Sequence, residues 1–227
     1  TVELSGGDSS RSVVLGSEFV DLQFQSRLGY RDIFKYIYNS LKTYVPLLYD
    51  DSERHQVIGG ASAGDYSMLK VRAGESINDL LDAISGGFMV APETELSLMF
   101  SPSSNLISIQ AESEVLEYGG VMMANAEIDI NNRSDSLSMW INSSGIYMGS
   151  RLIMPNFSAT GGARENRISL TAGFRDDRDK QSGMLGLSAK FSRNARTNRR
   201  SIHIDITPSH FTSDTQQWKL SAKGIDI

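Results

Sequence analysis

Three histidines, His55, His203 and His210, are the side chains in this sequence best suited to acid–base chemistry near neutral pH or to metal binding. No zinc-ligand spacing, glycine-framed serine or phosphate-binding loop accompanies them. His55 lies in a polar segment, and His203 falls on the polar side of a predicted strand. We therefore predict solvated or structural histidines, no catalytic residues, no metal site and no cofactor, and a protein that is not an enzyme.

Two clusters of charge invite a binding role. Asp176, Asp177 and Asp179 resemble a calcium loop, but the EF-hand glycine and final glutamate are missing and basic residues are interleaved, which favours a solvated turn. The basic run 193–200 carries four arginines, and near an anionic lipid surface each charge contributes about 1 kcal/mol of attraction. A plain exposed loop is the favoured interpretation of that run.

The elements that position these residues are strands. From Glu95 to Ile227 apolar side chains return at every second residue, as where Ile128 and Ile130 alternate with Glu127 and Asp129. Because successive strand residues point to opposite faces, this pattern predicts an antiparallel sheet with one apolar face. The predicted strands lie at about 95–100, 105–117, 120–131, 135–145, 147–159, 166–174, 183–192, 200–207 and 216–222, with turns at Gly119-Gly120, Asn131-Asn132, Gly161-Gly162, Arg175–Ser182 and Arg193–Arg200.

The N-terminal half adds two strands before Leu28, a strand over 66–71 and two amphipathic helices. In the first helix, apolar residues recur at spacings of three and four from Ile33, Asp32 is the predicted cap, and Pro46 ends it. The second, 76–85, opens at Ser76 with Asp79 three residues on, buries Ile77, Leu80, Leu81 and Ile84, and ends at Gly86-Gly87. We expect both helices to pack over the apolar face.

Composition limits the class of protein. The chain has 227 residues, 40% of them hydrophobic, a net charge of −5 and no cysteine. It is long enough to bury a core, has no overall attraction to nucleic acid, and contains no apolar run long enough to span a bilayer as a helix. We expect an internal segment of a longer protein, organised as strands and helix over 1–49, an exposed loop over 50–64 and a sheet over 65–227, forming one continuous domain.

The apolar face has to be covered. Leaving it in water would cost more than the net stability of a domain, which is about 5–15 kcal/mol. A second sheet, closure into a barrel, or a sheet folded into an apolar trough would each cover it. Only the last two leave room for a lipid.

Four segments resemble the TamB family of the AsmA-like superfamily, in the form found in Bacteroidetes-type bacteria. They are Ser17–Leu48, where a strand leads into a helix ending in Tyr-Val-Pro, and Phe88–Phe100, Asp135–Phe174 and Ile202–Ile227. The resemblance implies an elongated β-groove, of the kind called a β-taco, in a protein that is anchored in the inner membrane and spans the periplasm. It implies phospholipid transfer, assembly of outer-membrane proteins with a barrel partner of the TamA type, or both. That partner would dock outside this segment.

Such a groove would bind acyl chains by burying methylenes without specific hydrogen bonds, which predicts weak head-group selectivity. Alternatively, the same residues pack on one another or on the helices, or the protein is a structural or adhesive β-sandwich that binds a protein partner. Trp140 falls on the opposite face. The predicted groove-lining residues are Ile128, Ile130, Leu137, Met139, Ile141, Ile168, Leu170, Leu185, Leu187, Ile202, Ile204 and Ile206.

Overall fold

The computed structural model describes residues 1–7, 10–48, 64–132, 136–178, 180–194, 196–213 and 216–226. Two helices, α1 (Tyr30–Tyr44) and α2 (Ile77–Ser85), lie in the N-terminal half, and a short 3-10 helix follows α1 at Pro46–Leu48. The strands are β1 Val2–Gly7, β2 Ser10–Gly16, β3 Val20–Ser26, β4 Ser67–Ala73, β5 Phe88–Val90, β6 Glu95–Ser101, β7 Leu106–Tyr118, β8 Val121–Asn131, β9 Leu137–Met148, β10 Arg151–Arg164, β11 Arg167–Arg175, β12 Gln181–Arg193, β13 Arg200–Ser213 and β14 Gln216–Asp226.

All strands belong to one antiparallel sheet. Each strand lies beside its neighbour in the chain, except β5, which pairs with the end of β7 away from the main path. The sheet is open, since β1 and β14 are not paired with each other. This confirms the predicted fold class, mainly β with two short helices in the N-terminal half. No second sheet occurs in the described ranges, so neither a sandwich nor a closed barrel covers the apolar face.

The first helix differs from the prediction at its start. It begins at Tyr30, so Asp32 lies inside the first turn and is not the cap. Its end is as predicted, at Tyr44, because Pro46 has no N–H to continue the helix and starts the 3-10 turn instead. Ahead of it the chain forms three strands, β1 to β3, where the sequence predicted two.

The second helix occupies the predicted segment with different contacts. Ser76 is at the N-cap position, but its side chain makes no capping hydrogen bond. Ile77 is buried, whereas Ile84 is 72% exposed and does not belong to the buried face. Gly87, with φ of +92°, is the left-handed residue after the helix, whereas Gly86 has φ of −22°. The short strand β5 that follows was not predicted.

The predicted turn at Gly161-Gly162 is wrong. Both glycines lie inside β10, and the chain turns at Glu165 and Asn166, whose φ angles are 50° and 62°. The turn between β9 and β10 also comes later than predicted, around Gly149 with φ of +58°. Most of the predicted loop over 50–64 lies outside the described residues.

Two strands contain asparagines with left-handed backbone. Asn125 in β8 and Asn156 in β10 have φ of 48° and 45°. Such residues disturb the ladder, and serine hydroxyls satisfy backbone groups near Asn125. Ser143 donates to the Ala124 carbonyl at 2.7 Å, and Ser113 donates to the Val115 carbonyl at 2.7 Å. The long central strands are therefore irregular at mid-length.

Candidate functional site: the apolar face

Residues paired across neighbouring antiparallel strands lie on the same face of the sheet. Following the register from β6 to β13 therefore gives three parallel rows of side chains, which together we call the apolar face. The upper row is Leu96, Ala111, Ile128, Ile141, Ala159, Ala172 and Leu185; the middle row is Leu98, Ile109, Ile130, Met139, Gly161, Leu170, Leu187 and Ile206; the lower row is Phe100 and Ile107 on β6 and β7, and Leu137, Ala163, Ile168, Ala189 and Ile204 on β9 to β13.

The register places all twelve predicted groove-lining residues on this one face. The upper row contains Ile128, Ile141 and Leu185; the middle row contains Ile130, Met139, Leu170, Leu187 and Ile206; the lower row contains Leu137, Ile168 and Ile204; and Ile202 lies just beyond, opposite Phe191. Sequence reasoning missed the small members of the rows and the extension of the face to β3 and β4, where Phe24, Leu69 and Leu98 lie opposite one another.

The face is not sealed over these residues. Eleven of the twelve are partly exposed, and Leu185 is 43% exposed. By contrast, Phe100 and Ile107 in the lower row are only 6% and 3% exposed, because α1 covers them. In the lower row, the side chains are thus buried on β6 and β7 and partly exposed from β9 to β13.

Gly161 lets two predicted groove residues approach one another. A Cβ at this position would lie 3.1 Å from Met139 Cε and 3.5 Å from Leu170 Cδ1. These two side chains come from the neighbouring strands and fill the space over the glycine. The glycine therefore serves packing across the strand rather than chain reversal.

Helix α1 covers the N-terminal end of the lower row. Tyr36 packs with Phe100 and Ile107, with Ile33, Ile37, Leu98 and Ile109 around them. The Tyr36 hydroxyl donates to the Ser101 carbonyl at 3.0 Å, and burial raises the pKa of the phenol above its usual value. The helix thus packs on the apolar face, as expected.

The C-terminal end of α1 is tied to the sheet by two asparagines. Asn132 Nδ2 donates to the Tyr44 hydroxyl at 2.7 Å and to the Asn105 carbonyl, while its Oδ1 accepts from the Ile107 N–H at 2.6 Å. Asn166 donates its backbone N–H to the Tyr44 carbonyl at 3.0 Å and accepts the Leu47 N–H on its side-chain oxygen at 2.8 Å. The C-terminal end of α1 is therefore fixed over the sheet at two places.

Comparisons with protein-family models, with curated proteins and with solved structures find no match to this chain. The resemblance to the TamB family is accordingly an expectation that only experiment can test.

Where the structure describes them, the polar candidates of the sequence make ordinary surface contacts. His203 Nε2 lies 3.1 Å from Asp205 Oδ1 on the surface, and His55 and Asp179 lie outside the described residues. Asp176 accepts the Lys180 N–H at 2.7 Å, as in an ordinary turn. Among the residues that the structure describes, no group of three His, Asp or Glu side chains is placed to hold a metal ion.

The outer face is polar where the sequence predicted it. Trp140 lies opposite Asp129 and Thr160 and is 40% exposed, on the face away from Met139 and Ile141. In the part of the chain that is described, neither helix has the length and apolarity needed to cross a membrane.

One open cleft of about 450 Å³ lies at the C-terminal strands. It follows a register shift between β12 and β13, where Gly186 lies opposite Thr207 but Met184 lies opposite His210. Its walls include the apolar side chains of Met184, Ile206 and Leu220 and the polar side chains of His210, Gln217 and Lys219. Ile206 is the predicted groove residue that reaches it.

Proposed function

We propose that this chain offers its apolar face to phospholipid acyl chains, as a segment of a periplasmic envelope-biogenesis protein. The observation that carries the proposal is a continuous apolar face that remains accessible on the C-terminal strands. The resemblance to the TamB family supplies the cellular setting, the periplasm of a Gram-negative bacterium. Anchoring in the inner membrane and docking to a barrel partner of the TamA type belong to regions outside this segment.

The dimensions suit an acyl chain. Neighbouring strands are about 4.8 Å apart, so the middle row from β7 to β13 extends about 29 Å along the sheet. A bilayer's hydrocarbon core is about 30 Å thick, so the acyl chain of one leaflet spans about 15 Å. Each buried methylene contributes about 0.8 kcal/mol, so partial burial of one chain gives useful affinity without any hydrogen bond.

The first experiment is native mass spectrometry of the purified chain, followed by extraction and identification of apolar molecules that come with it. Phospholipid bound at defined stoichiometry would support the proposal. A chain that carries no lipid and takes up none from phosphatidylcholine vesicles would refute it.

Matched substitutions locate the binding surface. Leu170 is partly buried on the apolar face, and its neighbour Thr171 is exposed on the outer face. Leu170→Asp should abolish lipid uptake, whereas Thr171→Asp should leave it unchanged. Circular dichroism checks that both variants remain folded, and Leu170→Ala provides a milder change with a partial loss. Equal uptake by the Asp variants would place the lipid elsewhere.

A second candidate function is assembly of outer-membrane proteins, favoured by the open sheet edge at β14. Trp218 and Leu220 on this strand are 47% and 55% exposed. An unpaired edge can accept a client strand through main-chain hydrogen bonds. Cross-linking from position 218 or 220 to an unfolded barrel protein tests this candidate, and absence of a cross-link would count against it.

A further inference from the structure

Basic side chains gather at one end of the C-terminal strands. Alternate turns of an up-and-down sheet lie at the same end, so the β10–β11 and β12–β13 turns are neighbours. The side chains that we call the basic rim are Arg164, Arg167, Lys190, Arg193, Arg196, Arg199 and Arg200, all of them exposed.

The register sets these cations against one another. Arg167 lies directly opposite Arg164 on one side and Lys190 on the other, and Arg193 lies opposite Arg200. Like charges at directly opposed positions destabilise a sheet. Pairing between these side chains therefore does not stabilise the sheet.

Glu165, the acidic residue in the β10–β11 turn, does little to neutralise Arg164. Glu165 Oε1 lies 3.3 Å from Arg164 Nε, but both side chains are more than half exposed, at 79% and 59%. An exposed pair of this kind contributes little. On the same sheet Glu95, Glu112 and Glu127 lie opposite one another on β6 to β8, away from the rim. In a chain of net charge −5, the rim is a local positive field.

The rim borders the apolar face. Arg193 and Arg200 come two residues beyond the facing pair Phe191 and Ile202, so strand alternation places them on the same face as that pair. Lys190 follows Ala189 of the lower row and therefore lies on the outer face, opposite Arg167. Accessible apolar rows thus end at a group of cations.

We propose that the basic rim binds the phosphate head group of an anionic phospholipid whose acyl chain lies on the apolar face. This inference rests on the proposed function and refines it, because the sequence alone predicted weak head-group selectivity. The rim adds a preference for negative charge that the apolar rows lack. The occupant is a single lipid held at both its ends, not a bilayer surface.

The test uses the full chain and monomeric lysolipids below their critical micelle concentration, so that no membrane surface is present. Isothermal titration compares lysophosphatidylglycerol with lysophosphatidylcholine. We expect tighter binding of the anionic lipid, by about fivefold for each rim charge that acts on it. The preference should shrink at high salt, because exposed charges are screened.

Arg193→Gln combined with Arg200→Gln should remove much of the preference while leaving lysophosphatidylcholine binding unchanged, because these two rim residues lie on the same face as the apolar rows. Circular dichroism checks that the double variant remains folded. Lys70→Gln is the control for loss of a cation elsewhere: Lys70 is exposed on the outer face, between Gln23 and Ser97 on distant strands, and its loss should change the binding of neither lipid.

The outcomes separate the inference from the proposed function. Equal binding of both lysolipids by the wild type overturns the inference and leaves the proposed function standing. Binding of neither lysolipid overturns both. An anionic preference that persists in the double variant places the head group away from the rim, and binding only to phosphatidylglycerol vesicles indicates a membrane-docking surface; either result overturns the assignment.

Discussion

Replacing Asn132 with alanine should unfix the end of α1 and cost substantial stability. The side chain is 5% exposed and serves three partners: the Ile107 N–H, the Tyr44 hydroxyl and the Asn105 carbonyl. Each hydrogen bond has a net value of about 1 kcal/mol, and a buried group left without a partner costs about 1–3 kcal/mol. We expect Asn132→Ala to lower the free energy of unfolding by about 3 kcal/mol.

Tyr44→Phe is the matched control, since it removes one of these partners and keeps the ring, which is 2% exposed. We expect a loss of about 1 kcal/mol. The double variant should lose less stability than the sum of the losses in the two single variants, because both single variants remove the same Asn132–Tyr44 hydrogen bond.

Urea unfolding followed by circular dichroism measures these values. Native-state hydrogen exchange at the Ile107 amide provides a local readout, and its protection should fall in Asn132→Ala and persist in Tyr44→Phe. A loss below about 0.5 kcal/mol for Asn132→Ala, or strict additivity with Tyr44→Phe, would refute the account of this contact.

Three further predictions concern the fold. The pKa of Tyr36 is raised in the folded state, so the phenol loses its proton at lower pH in the unfolded chain than in the folded one. The free energy of unfolding should therefore fall as pH rises above about 10, and it should fall less steeply in Tyr36→Phe. Urea titrations at several pH values measure both slopes. Gly186→Ala should lower the free energy of unfolding by about 1–3 kcal/mol, because the added Cβ would lie 1.9 Å from Thr207 Oγ1. Gly6→Ala should change it by less than about 0.5 kcal/mol, because no atom lies within 4 Å of the added Cβ. Equal shifts of the thermal unfolding midpoint in the two variants would contradict this prediction. Ile77 is 7% exposed and Ile84 is 72% exposed. In urea titrations, Ile77→Ser should therefore lower the free energy of unfolding by about 2–4 kcal/mol, and Ile84→Ser should lower it by less than about 0.5 kcal/mol. The reverse order would show that α2 packs on its other side.

The apolar face could be predicted because strand alternation is a local property. The polar residues that alternate with Ile128 and Ile130 indicate that these two side chains share the apolar face. The register then places them beside Ile141 and Met139. No knowledge of the pairing was needed to choose these residues.

The register itself could not be predicted. Gly161 was assigned to a turn because glycine is common in turns, yet here it accommodates Met139 from the next strand, a contact that only the pairing reveals. Asn132 does lie in the connection predicted between β8 and β9, but the sequence did not reveal that its buried side-chain amide contacts Tyr44, 88 residues away in the chain. The opposed cations of the basic rim are invisible without register for the same reason.

The order of the strands in the sheet determines where unfolding of this protein can begin. Almost every strand contacts only the strands before and after it in the chain. The molecule therefore approximates a one-dimensional array of strands. Its stability is approximately the sum of the contributions of the strands and of the interfaces between adjacent strands, and unfolding can start at either end. Helix α1 is the exception, because it connects Phe100 on β6 with the Asn166 turn before β11. Hairpins outside the part of the sheet that α1 connects, such as β13 with β14, should unfold first while the remaining strands stay folded.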